Sequence, residues 1–259
     1  MGLRGIGMML KEYMPRHLHF GECVTNIFNT SKQIVVGERM VYKVLITGGS
    51  RGIGRAIYEL YSEKGYDVIA PGRKEMNLGN IDSVKEFVEK NREFDIVINN
   101  AGNNDIMNID KLNEESTMSM IMTNLVSPII LMGGLVPHMK SRGFGRIVNI
   151  GSIWGTVSKS GRAVYSATKS GIHGVTKTLA VELAPWNILV NTISPGYTLT
   201  DLTVKNNSEE ELNTIRTNIP LGRLAETCEI AKAVFFVGNE DNTYITGQDI
   251  LVDGGFSIQ

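Results

Sequence analysis

From Val41 onward the chain alternates between two periods. Short runs rich in apolar, β-branched residues recur: VYKVLIT (41–47), DVIA (67–70), FDIVIN (94–99), GRIVNIGS (145–152), ILVNTIS (188–194) and QDILVDGG (248–255). Such runs read as buried strands. Between them, apolar residues return every three or four positions. In GIGRAIYELYSEKG (52–65), Ile53, Ile57, Leu60 and Tyr61 share one helical face. IDSVKEFVEKN (81–91) predicts a helix opened by Asp82 or Ser83, and 115–140 reads as one long helix. The stretch carrying YSATK (165–169) runs as a helix to about Ala184, where Pro185 stops it, and EIAKAVFFVG (229–238) is the last helix. Strands apolar on both faces and separated by helices predict an α/β fold, a Rossmann-type doubly wound parallel sheet with helices on both faces. It forms a single domain over 41–259. The polar stretch 199–220 predicts a partly helical segment, long enough for a lid. Residues 1–40 follow neither period and stand apart as an N-terminal extension of unknown role.

Composition adds exclusions. The 259 residues carry a net charge of −1, and 42% are hydrophobic. No basic stripe points to nucleic acid. No uninterrupted apolar run approaches the roughly 18 residues of a membrane span, so the expectation is a cytoplasmic protein with no membrane partner. Cys23 and Cys228 lie far apart without metal-type spacing, which fits a reducing compartment. His17 and His19 lack a third ligand nearby, and His138 and His173 are isolated, so no metal is expected.

Candidate chemistry begins after the first strand, which runs into TGGSRGIG (47–54) and then a helix. Gly48, Gly52 and Gly54 allow a tight turn and a close approach to a pyrophosphate, with Ser50, Arg51 and Ile53 between them. The helix N-terminus supplies free amides. The second strand ends without the acid that would take an adenosine ribose hydroxyl. Arg73 follows it, and Arg51 lies in the glycine loop. Two guanidiniums suit a 2′-phosphate, favouring NADP(H) over NAD(H). Hydride delivery to a carbonyl leaves an alkoxide to protonate. Tyr165 can do so if Lys169, one helical turn away, lowers its phenol. Ser152, at a strand end, can donate to the developing oxyanion.

Together these features resemble the short-chain dehydrogenase/reductase family, in its compact single-domain branch. TGGSRGIG, NNAG (99–102), Asn124 in MTNLVSP, Ser152, YSATK and SPGYTLT (194–200) all match family motifs, and 219–255 resembles the family's C-terminal segment almost throughout. The resemblance covers about 41–259. It implies that Tyr165 is the acid/base and that Lys169 lowers its pKa and holds the nicotinamide ribose. It further implies that Ser152 polarises the carbonyl and that Asn124 anchors a water relaying protons to Lys169. Asn100, Ala101 and Gly102 would line the cofactor, and Pro195, Gly196 and Thr198 would close over the nicotinamide. A homo-oligomer, most simply a tetramer, is implied through the long helix and the Tyr165 helix.

The segment after Arg73 departs from the family. A full helix is missing, and the Asp-Val/Leu pair that touches adenine has become Asn77-Leu78. That shortening resembles reductases of nucleotide-linked keto sugars and leaves an edge of the adenine pocket exposed. The expected activity is therefore oxidoreduction of a small-molecule carbonyl or secondary alcohol. A keto sugar and a 3-oxoacyl thioester both stand as substrates, with a non-catalytic cofactor-binding regulator as the alternative. Trp154 and Tyr197 could stack on a substrate ring or fill the pocket wall.

Overall fold

The computed structural model describes residues 41–205 and 207–259; the extension, with His17, His19 and Cys23, lies outside the described residues. Six strands, β1 (Lys43–Ile46), β2 (Asp67–Ile69), β3 (Ile96–Asn99), β4 (Gly145–Ile150), β5 (Ile188–Pro195) and β6 (Asp249–Val252), form one parallel sheet in the order β2-β1-β3-β4-β5-β6. Successive side chains on each strand point to opposite faces. Leu45, Val97, Ile147 and Val190 enter one core with residues of α2 (Ile81–Lys90), α4 (Ser127–Arg142) and α5 (Ala163–Leu183). Val44, Ile46, Ile96, Ile98, Val148, Ile150 and Ile193 enter the other with α1 (Gly52–Glu63) and α8 (Thr227–Gly238). Two apolar faces are why the strand runs show no polar alternation.

Chain ends of the helices follow local chemistry. Asn80, rather than Asp82 or Ser83, caps α2: its Oδ1 accepts from Asp82 N at 2.9 Å and Ser83 N at 3.3 Å. The expected lid contains α6 (Asp201–Lys205) and α7 (Glu209–Thr217), the latter opened by a Ser208/Glu211 capping box.

The predicted long helix is interrupted. α3 (Glu114–Ile121) passes through a π-helical turn, Met122–Val126, before α4 begins. The wider turn accommodates one extra residue and turns Asn124 inward, where it is buried. The 3.6-residue period cannot report such an insertion. By length and composition alone Glu114–Arg142 could cross a membrane, an 18-residue stretch within it having mean hydropathy 1.7. In this fold it is a core helix, burying Leu131, Met132, Leu135, Val136 and Met139.

All strands being parallel, their C-terminal ends share one edge. The chain leaves β1 toward β2 on one side and returns to β3 on the other, so a crevice opens above β1 and β3. The loops after β1, β3, β4 and β5 all reach it.

Candidate active site

Two adjoining cavities occupy this edge. The larger, about 740 Å³, is lined by the glycine loop, Arg73, Asn77, Leu78 and Asn100 to Asn103. The smaller, about 410 Å³, is lined by Ser152, Trp154, Tyr165, Lys169 and Pro195 to Thr198. Ile53, Asn100, Gly102, Asn103 and Thr200 belong to both, making one cleft.

The larger cavity is built from backbone. A Cβ on Gly54 would sit 2.1 Å from the Gly48 carbonyl oxygen, and Gly48 itself has φ 69°. Only glycine lets α1 start against the turn. Asn100 locks the turn to β3, its Nδ2 donating to the carbonyls of Thr47 (2.9 Å) and Gly48 (3.1 Å). In return, Thr47 Oγ1 accepts from Asn100 N and Ala101 N, both at 3.0 Å. Thr47, which the motif reading passed over, is thus the post that joins the two loops. Arg51 precedes α1 and is exposed with Ser50, and Arg73 is exposed after β2. Among the described residues neither guanidinium is in an ion pair, whereas Arg55 is bound to Glu59 at 2.6 Å.

The shortened segment is a turn, not a helix. Met76 and Leu78 of this segment are buried in the core, Ser127 Oγ donates to the Leu78 carbonyl at 2.6 Å, and Asn77 N donates to Ser83 Oγ at 3.0 Å.

The smaller cavity is built from side chains. Ser152 ends the β4 loop and caps a short 3₁₀ turn, accepting from Trp154 N at 3.3 Å. Tyr165 and Lys169 rise from α5, three and seven residues after its N-cap. Lys169 is buried, and its Nζ donates to the Ile150 carbonyl at 2.6 Å. Asn124 is held by Asn103, accepting from its N–H (3.0 Å) and donating to its carbonyl (2.9 Å), and it reaches Thr168 Oγ1 at 3.3 Å. A Cβ on Gly102 would lie 3.2 Å from Asn124 Oδ1 and 3.8 Å from Lys169 Nζ, so the absent side chain keeps this corner open. Thr198 is buried, donating to the Gly196 carbonyl at 3.2 Å, and lines the smaller cavity only. Trp154 and Tyr197 meet edge-to-face at 6.0 Å, and Phe256 completes the cluster.

Burial pushes the Tyr165 phenol up from its ordinary value; the Ser152 hydroxyl and the Arg162 guanidinium pull it back down. Lys169 Nζ lies over the Tyr165 ring at 5.6 Å while donating to a backbone carbonyl, and its desolvation brings its own pKa down to about 8. Arg162, which the sequence reading missed, is a further cation acting on the phenol, its guanidinium lying over the Trp154 ring at 5.6 Å. It stands one turn before Tyr165, a spacing that could have flagged it.

A family profile described as Enoyl-(Acyl carrier protein) reductase matches residues 79–257. The chain is 36% identical over 236 residues to the 3-oxoacyl-[acyl-carrier-protein] reductase FabG of Haemophilus influenzae, covering 83% of this chain and 97% of that protein. It is 35% identical over 237 residues to carbonyl reductase family member 4 of Danio rerio, at 83% and 97% coverage. Among solved structures, ElxO with NADP bound superposes with a TM-score of 0.78 at 29% identity, covering 85% of this chain and all of that one. The chain belongs to the short-chain dehydrogenase/reductase family, whose members move hydride between a nicotinamide dinucleotide and a C=O/CH–OH pair.

Proposed function

We propose that this protein is an NADPH-dependent reductase of a small, polar ketone, with Tyr165 as its proton donor. The observation that carries the reading is the meeting of Ser152, Tyr165 and Lys169 around one cavity that adjoins a glycine-built cradle. The cradle fits a dinucleotide: its walls would not admit a Cβ at Gly54, and its rim presents Arg51 and Arg73. Gly48 to Gly54 would hold the pyrophosphate, Arg51 and Arg73 the 2′-phosphate, and Asn77 and Leu78 the adenine. Ala101 and Gly102 would line the ribose, and Pro195, Gly196 and Thr198 the nicotinamide side. NADP bound to ElxO supports the same preference. When bound, the nicotinamide supplies hydride.

The chain's own residues do the rest. Ser152 orients the carbonyl oxygen and donates a hydrogen bond as charge builds there. Tyr165, kept protonated by burial, gives its proton to that oxygen. Lys169 steadies the resulting phenolate with an ammonium that stays charged below about pH 8. Asn124 fixes the Asn103 loop against α5 and keeps the corner beside Lys169 open to a water relay.

A polar ketone is favoured over a fatty chain because Lys159, Ser160, Arg162, Asn103 and Asn104 share the cavity wall. A keto sugar falls in this class. The 3-oxoacyl thioester is the second reading, favoured by the 36% identity to FabG. Oligomerisation through α4 and α5 is part of the proposal, supported by the exposure of Ile129 and Val181 on those helices. A mass measurement in solution giving a monomer at all concentrations removes it. The activity is tested by NADPH oxidation against nucleotide-linked keto sugars, 3-oxoacyl thioesters and short ketones. The expected result is turnover on polar ketones that Tyr165→Phe abolishes. Arg51→Ala and Arg73→Ala should each cut the NADPH-over-NADH preference about tenfold, the scale of one lost charge-assisted hydrogen bond.

A further inference from the structure

We infer that Arg162 anchors a carboxylate on the substrate, so that the ketone reduced here is an oxo acid. The inference rests on the reductase reading and names its substrate class.

Arg162 has two buried guanidinium nitrogens, Nε and Nη1, with no hydrogen-bond partner. Among the described residues it makes no ion pair. Its Cζ lies over the Trp154 ring at 5.6 Å. That contact serves the face of the guanidinium but not the N–H donors in its plane. A partly buried cation with two shielded donors left without acceptors is costly, and such unsatisfied groups in native proteins call for an explanation.

The position gives the task. Arg162 lines the same cavity as Ser152 and Tyr165 and is the N-cap residue of α5. The first turn of α5 carries no acidic residue, and no side chain caps it, so the positive end of the helix dipole adds to the guanidinium. Lys159 stands on the same wall. The acid among the cavity's lining residues, Glu211, is committed to the N–H of Ser208 at 2.7 Å. Glu211 lies within the field of Lys159, but among the described residues no acid pairs with Arg162, whose donors stand beside the reacting group without an internal anion. A planar guanidinium pairs best with a carboxylate, whose two oxygens match its donors. A neutral thioester or an uncharged sugar ring offers acceptors to those donors but leaves the guanidinium's charge unmatched.

The test compares a 2-oxo and a 3-oxo acid with their methyl esters, which carry the same ketone without the charge. Wild type, Arg162→Gln and Arg162→Lys are assayed with NADPH. Wild type should prefer the acids by ~10²-fold or more in kcat/KM, because a site built for a hydrogen-bonding group rejects analogues lacking it. Arg162→Gln should lose that preference, its kcat/KM falling ~10²-fold further on the acids than on the esters. Arg162→Lys should recover part of it. A second readout is independent of turnover: malonate, which has no ketone, should bind the NADPH-loaded wild type in calorimetry and not the Gln variant.

Equal activity on acid and ester overturns the inference. So does an Arg162→Gln variant that loses kcat equally on both, because the guanidinium would then act only on Tyr165. If neutral ketones alone are reduced, the inference falls and the reductase reading stands. If Tyr165→Phe costs no activity, the reductase reading itself falls. NADPH binding by each variant, followed by cofactor fluorescence, controls for folding, and malonate binding decides the matter for any variant that does not turn over.

Discussion

The two halves of the cleft are made differently. The dinucleotide half is backbone: a turn that tolerates no Cβ at Gly54, pinned by Asn100 and Thr47 through main-chain partners. The carbonyl half is side chain: a hydroxyl from the end of β4 brought to a phenol, an ammonium and a guanidinium from the start of α5. A backbone site fails by misfitting, whereas a side-chain site fails by losing chemistry. Substitutions in the two halves should therefore separate binding from turnover.

The largest effect tests the carbonyl half. Tyr165→Phe removes one oxygen and leaves the ring in place. Positioned acid catalysis contributes about 10²–10⁴-fold, so kcat should fall ~10³-fold, while NADPH affinity in a fluorescence titration stays within about twofold. A comparable loss of affinity would mean that the halves are not separable.

The mirror experiment is Gly54→Ala. Its methyl would meet the Gly48 carbonyl oxygen at 2.1 Å and the Asn100 Nδ2 at 2.4 Å, so the turn must open. Overpacking of this kind costs about 1–3 kcal/mol, and NADPH affinity should drop up to ~10²-fold. Near-normal kcat at saturating NADPH would sharpen the contrast; unchanged affinity would break the claim that the backbone makes the site.

A third, milder test uses pH. Burial brings Lys169 down from its ordinary value to about 8, so its charge is present below that pH and lost above it. For ketone reduction, kcat/KM should hold up to about pH 8 and then fall about tenfold per unit, as one required proton is lost. NADPH affinity, held through the backbone amides of the glycine loop, should change less over the same range. A profile flat to pH 10 would remove Lys169 as the charge that steadies the phenolate.

The contrast also explains what was legible in the sequence. Glycine spacing reports a backbone shape directly, and the strand and helix periods report two-sided burial, so the sheet, its helices and the dinucleotide half could be read from the sequence. Tyr165, Ser152 and Lys169 were legible because their spacing is local or familiar. Three features were not. The π turn at Asn124 adds a residue inside an otherwise helical pattern, and its cause is a distant partner, the Asn103 backbone. The burial of Met76 and Leu78 depends on how a shortened loop falls against α2 and α4. Arg162 looks like any polar residue ahead of a helix; only the cavity shows that its donors have nowhere to go.

The smallest effect concerns the floor of the carbonyl half. His173, one turn beyond Lys169, contacts Ser194 Oγ (3.2 Å) and Asp249 Oδ2 (3.2 Å), and Ser194 Oγ donates to Asp249 Oδ1 at 2.5 Å. Gly151 and Gly155 close over it: a Cβ on either would come within 2.8 Å of the imidazole. Burial lowers the His173 pKa, with Lys169 and Lys177 acting the same way and Asp249 opposing them. The folded state thus binds this proton more weakly than the unfolded chain. Below the ordinary histidine value of 6.5 the unfolded chain takes up more protons, so stability is full at neutral pH and declines as pH falls. The slope for one proton is at most about 1.4 kcal/mol per pH unit. Hydrogen-exchange protection factors, corrected for the intrinsic rate at each pH from 7 to 5, should therefore fall first around Gly151–Gly155 and α5, while the Thr47–Gly54 turn keeps its protection. His173→Gln should flatten this dependence. Loss of protection in both loops at the same pH would show that the two halves, different in construction, unfold as one.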